Sequence, residues 1–159
     1  METTSVKQAE HAWAFKMLRP IEPGIVCIDM DRMLKFYVGV LGLKLVGDAE
    51  TAPEMSTKFG ATPHGYRIVR LQTPHGGLFK LAQPKVPPVR NPVPEWLFQR
   101  QGLAYCTFVI EDMASIQARL KANHVKLLSE GPVEVRPGVF AQFLLDPEGN
   151  CVEFVEFKT

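Results

Sequence analysis

The sequence predicts an α+β fold of two tandem β-α-β-β-β modules, and three observations predict it. First, the chain repeats itself. Pro74-His75-Gly76-Gly77-Leu78-Phe79-Lys80-Leu81 returns as Pro147-Glu148-Gly149-Asn150-Cys151-Val152-Glu153-Phe154 at an offset of 73, and Glu22 through Leu34 returns as Tyr105 through Gln117 at an offset of 83. In the second match Asp29-Met30 falls on Asp112-Met113 and Met33 on Ile116; the ten-residue difference is a longer loop in the first half. Second, apolar residues at strand and helix spacing follow in the same order in both halves. Third, Pro84, Pro87, Pro88, Pro92 and Pro94 crowd the stretch between the halves, a density that forbids helix and central strand and makes a semi-rigid linker. Two similar halves packed together leave a cleft, and clefts are where ligands bind.

The elements follow in order. Residues 1–19 precede the repeat; His11 to Leu18 is either a short amphipathic helix ending before Pro20 or a loosely ordered tail. The first module spans 20–83. Gly24 to Asp29 is a short β-branched strand, and Asp29 or Asp31 supplies a helix N-cap. Met33, Leu34, Phe36, Tyr37, Val40 and Leu41 continue at helical spacing, and Gly42 ends the helix in a left-handed cap. Leu43 to Val46 starts the next strand. Residues 47–64, with Pro53, Gly60 and Pro63, read as a long loop. Tyr66 to Thr73 and Leu78 to Ala82 form a hairpin. After the linker, 84–99, the second module (100–159) repeats the order: strand Tyr105 to Ile110, a helix from Asp112 to Asn123, strand Val125 to Leu128, and a hairpin of Val139 to Leu145 with Cys151 to Phe157 across Asp146-Pro147-Glu148-Gly149-Asn150.

Composition bounds the function. The 159 residues are 46% hydrophobic and 22% charged, with a formal net charge of +1, as expected of a globular domain. No basic block or basic helix face stands out, so nucleic acid is not the expected partner. No apolar run reaches the length of a membrane span, and Met1 to Glu10 is polar without a signal core. A cytoplasmic location is therefore expected. Cys27, Cys106 and Cys151 lie within apolar strand patterns and read as reduced, buried small hydrophobes.

Asp29-Met30-Asp31-Arg32-Met33-Leu34-Lys35-Phe36-Tyr37, then Val40-Leu41-Gly42-Leu43, and finally Asp146-Pro147-Glu148-Gly149-Asn150-Cys151-Val152-Glu153-Phe154 resemble the helix signature and closing hairpin of the vicinal oxygen chelate superfamily, which includes glyoxalase I, bleomycin-resistance proteins and extradiol dioxygenases. The resemblance spans roughly residues 20–157. It implies paired modules whose mixed sheets curve around a central cavity, and frequent homodimers with modules sometimes exchanged between subunits. It does not imply one reaction, because the fold hosts many.

In metal-dependent members the resemblance implies four ligands, one from each of four strands: His or Gln, Glu, His, Glu. Those positions fall here on Glu22, Lys80, Tyr105 and Glu153. The repeat supports the mapping, since Glu22 pairs with Tyr105 at the offset of 83 and Lys80 with Glu153 at 73. A protonated lysine cannot ligate, and its charge repels a cation. Lys80 is therefore expected to replace the metal, sitting between Glu22 and Glu153; no metal ligand is assigned and no cofactor expected, a divalent metal being disfavoured. In a working site Lys80 polarises a carbonyl or stabilises an enolate, Glu153 or Glu22 is the general base, and Tyr105 donates a proton. The alternative is a salt bridge that only joins sheets. Arg70, aligned with apolar Phe143, is a candidate anchor for a carboxylate or phenolate, with His64, Tyr66 and Cys151 as further candidate ligand contacts. His75 and His124 read as a solvated turn residue and a helix-ending residue. Trp96, Leu97 and Phe98 form an apolar cluster suited to the cavity or a dimer interface.

Three functions remain open. The first is a metal-independent lyase or isomerase acting on a small carbonyl or aromatic compound. The second is a small-molecule binding protein of the sequestering, resistance type. The third is a metal-dependent lyase or dioxygenase using His64 or His75 with Glu153, disfavoured because no histidine lies on the first or fifth strand.

Overall fold

The structure, a computed structural model, describes residues 14–99 and 101–158. Gly24–Val26 (β1) opens the N-terminal module. The Asp29 carboxylate then accepts the Arg32 N–H at 3.0 Å, satisfying one of the donors that a first helical turn leaves orphaned. Helix α1 (Met30–Leu34) runs on as a π-helical turn, Lys35–Val40, and Gly42 reverses the chain at φ +78. Strand β2 (Lys44–Thr51), helix α2 (Pro53–Lys58) and the hairpin of β3 (Tyr66–Gln72) and β4 (Leu78–Pro84) complete the module. The C-terminal module runs β5 (Tyr105–Ile110), α3 (Met113–Ala122), β6 (Lys126–Leu127), β7 (Val133–Arg136), β8 (Val139–Leu145) and β9 (Cys151–Phe157).

Each module makes one mixed sheet, and neither sheet closes. The N-terminal sheet has the order β1-β4-β3-β2; the C-terminal sheet has β5-β9-β8-β6, with β7 also on β8. In each, the first strand lies parallel to the last and all other pairs are antiparallel. The register repeats as well. Gly24 faces Lys80 as Thr107 faces Glu153, and Arg70 faces Lys80 as Phe143 faces Glu153. Both offsets read from the sequence are thus built into the hydrogen-bond ladders.

Strand alternation divides each sheet into two faces. Val69, Leu71, Phe79 and Leu81 of one sheet and Leu144, Val152 and Phe154 of the other are buried with Met30, Met33, Tyr37, Met113 and Leu120 in one core shared by both modules. Lys80, Arg70, Glu153, Thr107 and Tyr105 alternate with these residues and lie on the opposite, open faces.

Polar contacts also join the modules. The Glu148 carboxylate, from the β8–β9 turn, accepts the backbone N–H groups of Ile28 and Asp29 at 2.8 and 2.7 Å. The buried Tyr37 hydroxyl donates to Asp146 at 3.0 Å. Arg119 on α3 donates to the carbonyls of Gly39 and Val40, at the end of the π-helical turn.

Several expectations need correction. The stretch 47–64 is not one loop: β2 continues to Thr51 against β3, and α2 starts at Pro53. Pro53 is at the helix start, where its missing N–H costs nothing, and Glu54 suits the first turn. The segment before Gly138 holds β7, a strand that short alternation did not announce. Strand β4 extends through Pro84, which pairs with Tyr66, so the first linker proline closes an interior strand. Of the expected helix over 11–18, residues 11–13 lie outside the described residues, and Ala14 to Leu18 are exposed and not helical.

Candidate functional site

The open face of the N-terminal sheet carries the first part of the site. Lys80 Nζ lies 2.7 Å from Glu22 Oε2, with the two side chains only 33% and 21% exposed. The Lys80 ammonium, hydrogen-bonded to it, holds the Glu22 carboxyl below its ordinary value; Arg19 and Arg70 act in the same direction, against the opposing effect of burial. The backbone fixes this pair, since the Lys80 N–H donates to the Pro23 carbonyl at 2.9 Å. Arg70, the cross-strand neighbour of Lys80, is exposed and lies over Gly47.

The open face of the C-terminal sheet carries the second part. The Glu153 carboxylate accepts a hydrogen bond from the Thr107 hydroxyl at 2.5 Å. The Tyr105 ring stands edge-on to Phe143 at 5.2 Å, with Phe98 at 6.2 Å on another side. Cys151 is buried beneath this face; burial first and the Glu153 charge next push its thiol up to about 11. Its burial is that of a small core residue.

Of the predicted quartet, Lys80 and Glu22 are brought into contact, and Tyr105 and Glu153 each meet other residues. Lys80 meets Glu22 but makes no ion pair with Glu153, whose partner is Thr107. Thr107 is the residue that sequence reasoning missed. The signal was there: at the offset of 83 it replaces Gly24, putting a hydroxyl where the other module has none. His64 is exposed on the turn before β3, its N–H on the Thr62 hydroxyl at 3.4 Å. Tyr66 packs edge-on to Phe59 at 6.3 Å.

Between the modules runs a cleft of about 1260 Å³, lined mainly by apolar side chains including Ile21, Leu41, Leu43, Leu78, Phe79 and Phe108. Of the predicted site residues Tyr105 lines it; the missed Thr107 and the turn residue His75 do too. Glu22 itself is not in the wall, but its neighbours Ile21 and Pro23 are.

A model of the Glyoxalase/Bleomycin resistance protein/Dioxygenase superfamily matches residues 19–154. The chain belongs to that superfamily. Among solved structures of this superfamily's fold, it is similar to a glyoxalase family protein from Bacillus cereus, at 21% identity and TM-score 0.78 over 94% of this chain and 100% of the other. It is also similar to a glyoxylase/bleomycin resistance protein/dioxygenase domain from Frankia (15%, TM-score 0.64, 86% and 90%). A trypanothione-dependent glyoxalase I from Leishmania major matches at 22% identity and TM-score 0.62, over 87% and 86%. Identities this low carry the fold alone. No curated protein matches the chain.

Metal-dependent members of the superfamily need converging N/O donors. Among the described residues no three His, Cys, Asp or Glu side chains are grouped to hold a metal ion. Lys80 occupies one of the four positions as a cation that already engages a second, Glu22.

Proposed function

We propose that this superfamily member is a metal-independent lyase or isomerase acting on a small carbonyl or aromatic compound. The observation that carries the reading is the half-buried Lys80–Glu22 pair at 2.7 Å. The ion pair with Glu22 holds the Lys80 side chain in place. A substrate carbonyl oxygen placed beside Nζ receives a hydrogen bond from a half-buried cation, and that bond strengthens as the oxygen becomes an enolate. A carboxylate, Glu22 or Glu153, takes the proton from the adjacent carbon, and Tyr105 returns one. Thr107 orients Glu153 through its hydroxyl.

The apolar lining of the inter-module cleft favours a second reading, a protein that binds and sequesters a hydrophobic small molecule. Lys80→Met separates the two. In the enzyme it abolishes turnover of reactive carbonyl substrates while the fold persists; in a sequestering protein it lowers affinity at most. Wild-type protein without turnover on a panel of α-keto, α-hydroxy and aromatic carbonyl compounds, yet binding one of them tightly, would reject catalysis.

The same reading includes a homodimer. Val26, Val109 and Phe157 expose apolar surface on the open faces, and exposed Phe98 packs near Tyr105 on the second of them. A second copy covers these and closes the two half-sites. Light scattering on purified protein tests it; a monomer at micromolar concentration refutes it. Three free cysteines and the fact that no described helix is long and apolar enough to cross a membrane support a reducing, cytoplasmic location.

A further inference from the structure

The two sheets have outer edges at β1, β2, β5 and beyond β8, and all but β5 are guarded. Strand β1 is three residues long and follows Pro23. Strand β2 carries Lys44, Asp48 and Glu50, and its register breaks between Leu45 and Gly47. Beyond β8 lie the two residues of β6 and the charged β7, whose register breaks between Glu134 and Arg136. Shortness, charge and irregularity keep an edge from taking up another strand. Strand β5 has none of these. Its six residues, Tyr-Cys-Thr-Phe-Val-Ile, hold an unbroken register with β9 and carry no charge, proline or glycine.

Hydrogen-bond parity shows what this edge offers. The Asp146 N–H donates to the Asn150 carbonyl at 2.9 Å at the root of the last hairpin. Along β9 the backbone groups of Val152 and Phe154 therefore turn to β8, and those of Cys151, Glu153 and Val155 turn to β5. There they meet Cys106, Phe108 and Ile110. The N–H and carbonyl groups of Tyr105, Thr107 and Val109 point away from the sheet, and among the described residues no strand pairs with them.

All six residues of β5 line the inter-module cleft, together with Leu41, Leu43, Leu78 and Phe79 of the other module. Cys106, Phe108 and Ile110 pack against the core yet stay only partly buried. Unpaired backbone groups and apolar side chains thus share one groove, along an edge about 20 Å long. Strand addition uses this combination: main-chain bonds give affinity, and apolar pockets receive alternate side chains. Glu111 and Asp112 enter the wall at the C-terminal end of β5. Asp112 is engaged in capping α3 through Ser115, and Arg119 in the same wall by the carbonyls of Gly39 and Val40. Glu111 remains to attract a cation brought by the occupant.

We infer that the cleft is a strand-binding groove. Its occupant is an extended peptide segment, apolar at alternate positions and basic at the end beside Glu111, that pairs with the outer edge of β5. This binding goes beyond the chemistry placed on the open faces and does not depend on it.

The test uses the nitrogen-15-labelled full chain at low salt. The probe is acetyl-Lys-Thr-Val-Thr-Val-Thr-Val-Lys-amide, whose two lysines serve either strand direction. It should shift the amide resonances of Thr107 and Val109 and slow their hydrogen exchange. The same peptide N-methylated at its central residues keeps the side chains and loses the donors, so it should bind about tenfold more weakly or worse. Val109→Pro removes an outward N–H that β9 does not use, and should weaken the parent peptide similarly while circular dichroism stays that of the wild type. If that variant does not fold, the N-methylated peptide decides alone. Glu111→Gln should weaken the parent peptide severalfold and leave a version with serine for both lysines unaffected. Equal binding of the N-methylated peptide overturns strand addition. A parent peptide that shifts no β5 amide at millimolar concentration overturns the groove. So does a dimer whose Thr107 and Val109 amides are protected before any peptide is added, because a second copy then fills the edge.

Discussion

Truncating Glu148 to alanine removes the strongest polar tie between the modules. Its carboxylate is 8% exposed and accepts the Ile28 N–H at 2.8 Å and the Asp29 N–H at 2.7 Å, with Arg32 Nη2 at 3.4 Å. Hydrogen bonds to a charged group contribute about 1.5–3 kcal/mol, and an unsatisfied buried donor costs about 1–3 kcal/mol. The Asp29 N–H is at an exposed position and rehydrates after truncation; the Ile28 N–H is partly buried and does so poorly. The Arg32 contact is exposed on the arginine side and adds only a few tenths of a kcal/mol. Glu148→Ala should therefore cost about 2–4 kcal/mol. A domain of this size loses about 2–4 °C per kcal/mol, so Tm should fall by about 4–16 °C. Glu148→Gln keeps one carbonyl acceptor for two donors and should cost roughly half as much. Urea unfolding gives the free energy, and hydrogen exchange at the Ile28 and Asp29 amides localises it. A loss under about 0.5 kcal/mol, with both amides as protected as before, would show that Glu148 does not hold the modules together.

Three further outcomes are expected. Tyr37→Phe should cost about 1.5–3 kcal/mol in urea unfolding, because it strips a hydroxyl from the buried Asp146 carboxylate; a neutral substitution would mean that the Asn150 amide and the backbone donors around Asp146 suffice. Glu22 has a folded-state carboxyl lowered by Lys80, so its contribution to stability is fully present above its unfolded value near 4.5 and is lost as pH falls through the lowered folded value. Glu22→Gln should flatten the stability profile below that pH, and an identical slope in both proteins would remove the Lys80–Glu22 coupling from the account. Burial pushes the Cys27 thiol up to about 12 and the Cys151 thiol up to about 11, so an aromatic disulfide reagent at pH 8 should leave both unmodified in the native protein and reach all three cysteines in urea; rapid native labelling of Cys27 or Cys151 would contradict their burial.

The repeat, the caps and the alternation of strands were legible because they are local or periodic. Asp29 and Asp112 announce their helices by position and chemistry, and both cap as expected. Gly42 and His124 sit at the left-handed positions that end the two helices. The two offsets set which residues take equivalent places in the two ladders, so Lys80 and Glu153 correspond in register. Sequence spacing cannot say what a side chain meets from a distant part of the chain. Asp146-Pro147-Glu148-Gly149-Asn150 reads as a hairpin turn and is one, yet Glu148 reaches a strand end 120 residues away. The π-helical turn gives Arg119 its two carbonyls only because α3 docks there. Likewise, Lys80 meets Glu22 and not Glu153, Thr107 takes Glu153, and Gly47 yields its space to Arg70. Those pairings depend on how two sheets and their helices settle around one core, where packing shape and the demand to satisfy every buried donor choose the partners. The sequence by itself determined the modules, their register and the faces on which the chemistry stands; the docking of those modules decided which groups touch.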